Sequence, residues 1–183
     1  MSVSTERLHL GCGKKFIPGY YHVDILPFDH IDHQGPVDDL GFIKDNSVKL
    51  IYACHLLEHF GRNEFRKPLA EWFRVLASGG VLRLAVPDFE QVMKLYSSGK
   101  IRNLNEVMGL VMGGQRDEYD YHKVIFDERF LGDALRDLGF REVRRWDWRK
   151  TDHADVDDYS QAYLPHMDKQ NGTLVSLNLE AVK

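Results

Sequence analysis

Gly11, Cys12, Gly13 and Asp24 are the first residues along the chain whose types and spacing suit ligand chemistry. A glycine has no Cβ, so the backbone there can come close to a ligand. An acid at the end of the following apolar stretch can accept hydrogen bonds from ribose hydroxyls. Together they read as the start of a nucleotide site. Two features set it apart from a dinucleotide fingerprint. The third glycine of that pattern falls on Phe16, and Asp24 comes 11 residues after Gly13 rather than about 20. A ligand without a pyrophosphate suits this shorter loop. A second constellation is His55-Leu56-Leu57-Glu58-His59, which has the His-x-x-Glu-His spacing of inverted zinc peptidases. On a continuous helix both histidines would share a face and could hold zinc. Here a β-branched and aromatic run leads straight into His55. That puts His55 at a strand end, and no metal set is expected. His122 follows the glycine-, acid- and tyrosine-rich segment 113–121. Histidine titrates near neutral pH, so His55 and His122 are the candidate general bases.

The elements that must position these residues can be read from periodicity. Arg7 to Leu10 alternates and ends in the glycine turn, and Tyr20 to Ile25 is a second strand bounded by Pro-Gly and a proline. Pro36 to Leu40 is expected as a short third strand. Val48 to Cys54 is nearly continuous and apolar, as a buried parallel strand should be. A helix is expected from Asn63, a good N-cap, to Leu76, with a kink or late start at Pro68. Val81 to Val86 is a further strand. Asp88 with Gln91, and Asn103 with Glu106, have capping spacing for two short helices. Asp127 caps a helix running to Leu138. Arg141 to Arg149 and Thr173 to Val182 close the chain as strands expected to pair antiparallel. Strands separated by helices give an α/β fold with a mostly parallel sheet. The short link from Gly13 to Tyr20 leaves the first crossover helix shortened or absent. One sheet face is then thinly covered, which makes a homodimer an expectation.

The totals exclude several classes. The 183 residues, 43% hydrophobic, suit one domain over 1–183. A net charge of −4 argues against a partner bound through nucleic-acid phosphates. No apolar run reaches the ~18 residues of a membrane span. The start of the chain lacks the features of a signal peptide, so a cytoplasmic location is expected. Cys12 and Cys54 make no disulfide framework and read as small residues tolerated under a ligand. The basic run from Arg141 to Lys150 and the acids from Asp152 to Asp158 read as solvated faces that partly neutralise each other, and Trp146 and Trp148 as core.

The ordered series is more specific than any single piece. Leu8-His9-Leu10-Gly11-Cys12-Gly13, His22-Val23-Asp24-Ile25, Ile51 to Phe60 with its Leu-Glu-His, and Arg74-Val75-Leu76-Ala77-Ser78-Gly79-Gly80 before Leu82 to Asp88 resemble the class I, Rossmann-like S-adenosylmethionine-dependent methyltransferases. The likeness is to the small bacterial type-11-like group, over roughly residues 7–140. It implies a seven-stranded sheet with S-adenosylmethionine over the C-terminal strand ends. The methionine part would lie at Gly11 and Gly13, with Cys12 beside Cys54 and His55 around the cofactor. The ribose would lie at Asp24. Adenine would sit between Ile25 and the Asp38-Asp39-Leu40 turn, with either aspartate accepting from its amine. An acceptor-side lid is expected over about 88–122. The implied reaction is methyl transfer to oxygen or nitrogen of a small molecule or a glycan. The glycan rests on a loose likeness of Asp158 to Tyr163 to enzymes of surface-polysaccharide synthesis. A non-catalytic cofactor-binding regulatory partner, a zinc peptidase and a nicotinamide oxidoreductase stand as alternatives.

Overall fold

A computed structural model describes residues 4–183. Four strands come before the first α-helix: β1 (Arg7–Leu10), β2 (Tyr21–Asp24), β3 (His33–Gln34) and β4 (Val48–Cys54). A 3-10 turn at Leu57–His59 leads to α1 (Arg66–Val75), and α1 runs directly into β5 (Leu76–Pro87). Helices α2 (Phe89–Ser97), α3 (Met108–Met112) and α4 (Glu128–Asp137) follow, then β6 (Arg141–Arg145), β7 (Tyr163–Leu164), β8 (Thr173–Leu174) and β9 (Ser176–Val182). The main sheet has the order β3-β2-β1-β4-β5-β9-β6. Its first five members are parallel, and β9 lies antiparallel between β5 and β6. β7 and β8 form a separate small antiparallel pair. The expected α/β class, the antiparallel closure and the missing helix between β1 and β2 are all present.

Alternation along the strands sorts the two faces. Leu8, Leu10, Ile51, Ala53, Leu82, Leu84, Val86, Leu177, Leu179 and Ala181 join the main core beneath α1 and α4. Leu69, Trp72 and Val75 come down from α1, and Leu131, Ala134 and Leu135 from α4. The opposite face has no helix before β4. It is covered by the loop holding Ile17 and Tyr20 and by the segment around Trp146, which pack on Tyr52 and Ala85. Several polar groups on this face are paired, whereas His9 Nδ1 and His153 Nε2 have no partner among the described residues. Arg83 and Arg144 both reach Glu180, and Tyr52 donates to Asp158 at 2.6 Å. Two further basic side chains of the Arg141–Lys150 run pair as well, Arg145 with Glu128 and Asp88, and Arg149 with Asp147. Trp146 donates to the Leu84 carbonyl at 2.9 Å and is nearly buried.

Four boundaries differ from the sequence expectation. The third strand is His33–Gln34, not Pro36 to Leu40. The latter stretch is tied to α1 instead: Trp72 donates to the Val37 carbonyl at 2.8 Å, and the Leu40 amide donates to Glu71 at 2.7 Å. These side-chain bonds compete with a ladder and win. Helix α1 starts at Arg66 with Phe65 at its cap position, so Asn63 caps nothing. Pro68 then lies in the first turn, where no amide donor is needed. β5 begins at Leu76, five residues before Val81. β6 stops at Arg145, and Trp148 lies in a 3-10 turn. The caps at Asp88, Asn103 and Asp127 form as expected, each accepting from a backbone amide.

Candidate active site at the C-terminal strand ends

The C-terminal ends of β1, β2 and β4 lie side by side because these strands are parallel neighbours. In open α/β sheets this edge is where ligands bind. Gly11 and Gly13 turn the chain off β1 with φ of 60° and 53°, a left-handed conformation that only glycine adopts freely. The Gly11 amide stays bonded to the Val23 carbonyl at 2.9 Å, which pins the loop to β2. Asp24 completes the loop. One carboxylate oxygen accepts from the Gly13 amide at 2.8 Å, and the other accepts from the Leu26 amide at 2.9 Å. The acid is almost buried and still has lone pairs beyond these two bonds. A Cβ built on Gly13 would meet nothing within 4 Å, so the loop leaves an open cradle there. A Cβ on Gly11 would run into the Leu56 side chain. Leu56 therefore lies across the loop from the end of β4.

The remaining expected cofactor residues fall into different surroundings. Ile25 is exposed beside Asp24, with its carbonyl accepting from Gln34 at 3.2 Å. Asp38 pairs with Lys67 at 2.6 Å, and Asp39 accepts from the Gly41 amide at 3.2 Å. The side chain of Leu40 is fully buried in the main core, so it offers no lining surface to adenine, because its amide is drawn inward onto Glu71. Cys12 is buried, with its sulfur 3.8 Å from His30 Nε2. Burial, with Asp24 nearby, pushes its thiol up to about 12. Burial likewise raises Cys54 well above the ordinary thiol range, with Asp158 adding to it. Both cysteines are free, and burial favours the neutral thiol in each.

His55 breaks out of β4 with φ of 49°, left-handed for a non-glycine residue. Such a conformation costs about 1–2 kcal/mol and persists where surrounding contacts hold it. Here the His55 amide still donates to the Ala85 carbonyl at 2.8 Å, and its ring lies 5.3 Å from that of Tyr159. The chain then turns through Leu57–His59 as a single 3-10 turn. No continuous helix underlies His55 and His59, so the inverted-peptidase arrangement is not formed.

Instead these residues build a polar cluster with His122. His55 Nε2 lies 3.3 Å from the Ser176 hydroxyl, and its Nδ1 lies 3.3 Å from Glu58 Oε1. His122 Nε2 lies 3.9 Å from the same Glu58 oxygen. His122 Nδ1 donates to the Leu110 carbonyl at 3.0 Å, and His59 Nδ1 to the Tyr121 carbonyl at 3.2 Å. Those bonds leave Nε2 of both rings as lone-pair acceptors. Glu58 is fully buried, and neither of its oxygens makes an aligned hydrogen bond among the described residues. Burial raises its carboxyl to about 8, lowers His55 to about 3 and lowers His122 to about 4. Both candidate bases are neutral imidazoles at physiological pH. Glu58 was not singled out from the sequence, although the Leu-Glu-His segment that contains it was.

Residues 26–84, from just after Asp24 into β5, match the family model described as "Methyltransferase domain". No curated protein matches the chain. Among solved structures, the fold is similar to a SAM-dependent methyltransferase from Methanosarcina mazei, 17% identical, covering all of this chain and 94% of that one with a TM-score of 0.59. It is similar also to one from Archaeoglobus fulgidus, 15% identical over all of this chain and 88% of that one, TM-score 0.58. A third, from Thermotoga maritima and described as a possible histamine N-methyltransferase, is 15% identical over 98% of this chain and 83% of that one, TM-score 0.58. At these identities the likeness is one of fold. Among the described residues no helix is long and apolar enough to cross a membrane. The chain thus has the fold of S-adenosylmethionine-dependent methyltransferases of known structure, and its residues 26–84 match a methyltransferase domain.

Proposed function

We propose that this chain catalyses methyl transfer to oxygen or nitrogen of a small-molecule acceptor, with the cofactor held by Gly11, Cys12, Gly13, Asp24 and Ile25. The observation that carries the reading is the loop itself. Two left-handed glycines close onto Asp24, and an open cradle remains above Gly13. In this reading the spare lone pairs of Asp24 take the ribose hydroxyls, the Gly13 backbone receives the methionine end, and exposed Ile25 covers one adenine face. Asp38 and Asp39 are both near enough in sequence to serve the adenine amine, and Asp39 is the freer of the two because Asp38 is held by Lys67. Cys54 and His55 close the site from the end of β4.

The cofactor supplies a methyl group on a positively charged sulfur, already activated toward displacement. The protein's task is alignment and exclusion of water. Residues 88–122 form the acceptor-side lid in this proposal: α2 through Val92 and Leu95, with Val107 just before α3, packs onto Ala162 and Val175 rather than onto the main core. His122 takes the acceptor's proton on Nε2, which its Leu110 bond leaves free. His55, with Nε2 bonded to Ser176 and Nδ1 close to Glu58, orients that end of the site. A glycan hydroxyl is one acceptor of this kind, and association of two chains is compatible with the fold.

Transfer of a labelled methyl group into a panel of hydroxyl and amine acceptors tests the reading. His122→Gln is expected to lower turnover on hydroxyl acceptors roughly 100-fold, within the usual range for a general base, without weakening S-adenosylhomocysteine binding. Unchanged turnover in both His122→Gln and His55→Gln would remove the base. Tight cofactor binding with no transfer to any acceptor would favour a regulatory partner instead.

A further inference from the structure

We propose that Glu58, His59 and His122 form a binding site for one divalent transition-metal cation of the zinc type. One donor atom from each of the three residues lies within 4.8 Å of the other two. A tetrahedral zinc site with bonds of about 2.1 Å spaces its ligand atoms about 3.4 Å apart, so the donors must draw in by no more than about 1.4 Å to hold an ion. The donor set, two imidazoles and one carboxylate, is that of three-ligand zinc sites with an open fourth position.

The second observation is independent of this spacing. Glu58 is fully buried and both of its oxygens lack aligned partners. A buried carboxyl left without partners is costly, and a cation between the two rings would satisfy it. The third is the state of the histidines. Each donates Nδ1 to a backbone carbonyl, His59 to Tyr121 and His122 to Leu110, which leaves each Nε2 a lone pair, and that of His122 lies 3.9 Å from Glu58 Oε1. Metal-binding histidines are oriented by such outer bonds. His55 approaches Glu58 Oε1 at 3.3 Å and supports the carboxylate from outside the donor set. The site joins two distant segments, the 3-10 turn after β4 and the irregular stretch around residue 122. The Lys123 amide already bonds the Glu58 carbonyl at 2.7 Å.

The site does not depend on the transfer reaction. It has one consequence for it: a cation and an acceptor proton compete for the same His122 lone pair, so zinc is expected to inhibit transfer.

The test is titration of the chelator-treated full chain with zinc chloride alone, against a chromophoric chelator. One zinc per chain is expected. Glu58→Gln, which keeps shape and removes the charge, and His122→Gln are each expected to weaken binding at least about tenfold. The pair His59→Gln with His122→Gln should abolish it. Circular dichroism checks that each variant is folded, and Cys12→Ser should bind as the parent does. Cobalt(II) in place of zinc should show d–d bands without a thiolate charge-transfer band. No binding by the folded parent, full binding by the double variant, or a thiolate band would each overturn the site. A chain that binds zinc but transfers no methyl group keeps the site and refutes the activity reading.

Discussion

Replacing Gly11 and Gly13 by alanine separates two roles that the loop combines. Both residues are left-handed, and a Cβ there costs about 1–2 kcal/mol in backbone strain. Gly13→Ala pays only that, because its Cβ would meet nothing within 4 Å. Gly11→Ala meets Leu56 as well, with Cδ1 at 2.5 Å, Cδ2 at 2.8 Å and Cγ at 2.9 Å. Ordinary carbon contacts are about 3.5–4.0 Å, so Leu56 must be displaced. Overpacking of this kind adds about 1–3 kcal/mol. Gly11→Ala is therefore expected to lose about 2–5 kcal/mol in all, against about 1–2 for Gly13→Ala. Urea unfolding gives both values, provided m stays constant. Adding Leu56→Ala removes the contact and should bring Gly11→Ala back toward Gly13→Ala, with a coupling of about 1–3 kcal/mol in the double-mutant cycle. Binding should follow a different order. Gly13→Ala fills the cradle and is expected to weaken S-adenosylhomocysteine strongly despite its small stability loss. Equal destabilisation by the two alanines, or no coupling to Leu56, would refute this account of the loop.

Two further outcomes follow from the same geometry. Asp24→Asn loses the charge that receives the Gly13 and Leu26 amides and the ribose. Charge-assisted hydrogen bonds contribute about 1.5–3 kcal/mol, so calorimetry should show S-adenosylhomocysteine affinity falling roughly ten- to hundredfold; unchanged affinity would mean that the acid serves the loop alone. His9 is buried against Tyr20, His22 and Tyr52, and burial holds it well below its ordinary range, with repulsion from His22, His153 and His30 adding to the effect. Its folded value lies below its unfolded one, so the contribution is present above about pH 6.5 and is lost as pH falls, because the unfolded chain takes up the proton first. His9→Phe should flatten the acid limb of a stability-against-pH curve by up to about 1.4 kcal/mol per pH unit, and parallel curves for the two proteins would contradict the assignment.

Much of this fold was legible because its signals are local. Alternation through β1, the nearly continuous apolar run of β4, the caps at Asp88, Asn103 and Asp127, and the bare link from Gly13 to Tyr20 each carry their own cause in the residues nearby. The stretch from Pro36 to Leu40 was not legible. What prevents a strand there is the reach of Trp72 and Glu71 from α1, and those contacts are made about 31 to 35 residues away. Asn63 fails as a cap for a related reason, since the helix begins three residues later with Pro68 in its first turn. The glycine loop and Asp24 could be paired from spacing alone because parallel strands bring their C-terminal ends together. Glu58 could not be placed in the same way. Its significance comes from burial without partners, and from His122 arriving 64 residues later to share its surroundings. The left-handed backbone at His55, which turns the chain toward that cluster, likewise has no signature in a histidine flanked by Cys54 and Leu56.

Calorimetric titration of the chain with S-adenosylhomocysteine, with NAD as the contrasting ligand, bears most directly on the central claim that the Gly11–Asp24 loop is a cofactor cradle. The account predicts one S-adenosylhomocysteine per chain, weakened by Gly13→Ala and by Asp24→Asn, and no binding of NAD. Binding of NAD, or S-adenosylhomocysteine binding that neither substitution changes, would contradict it.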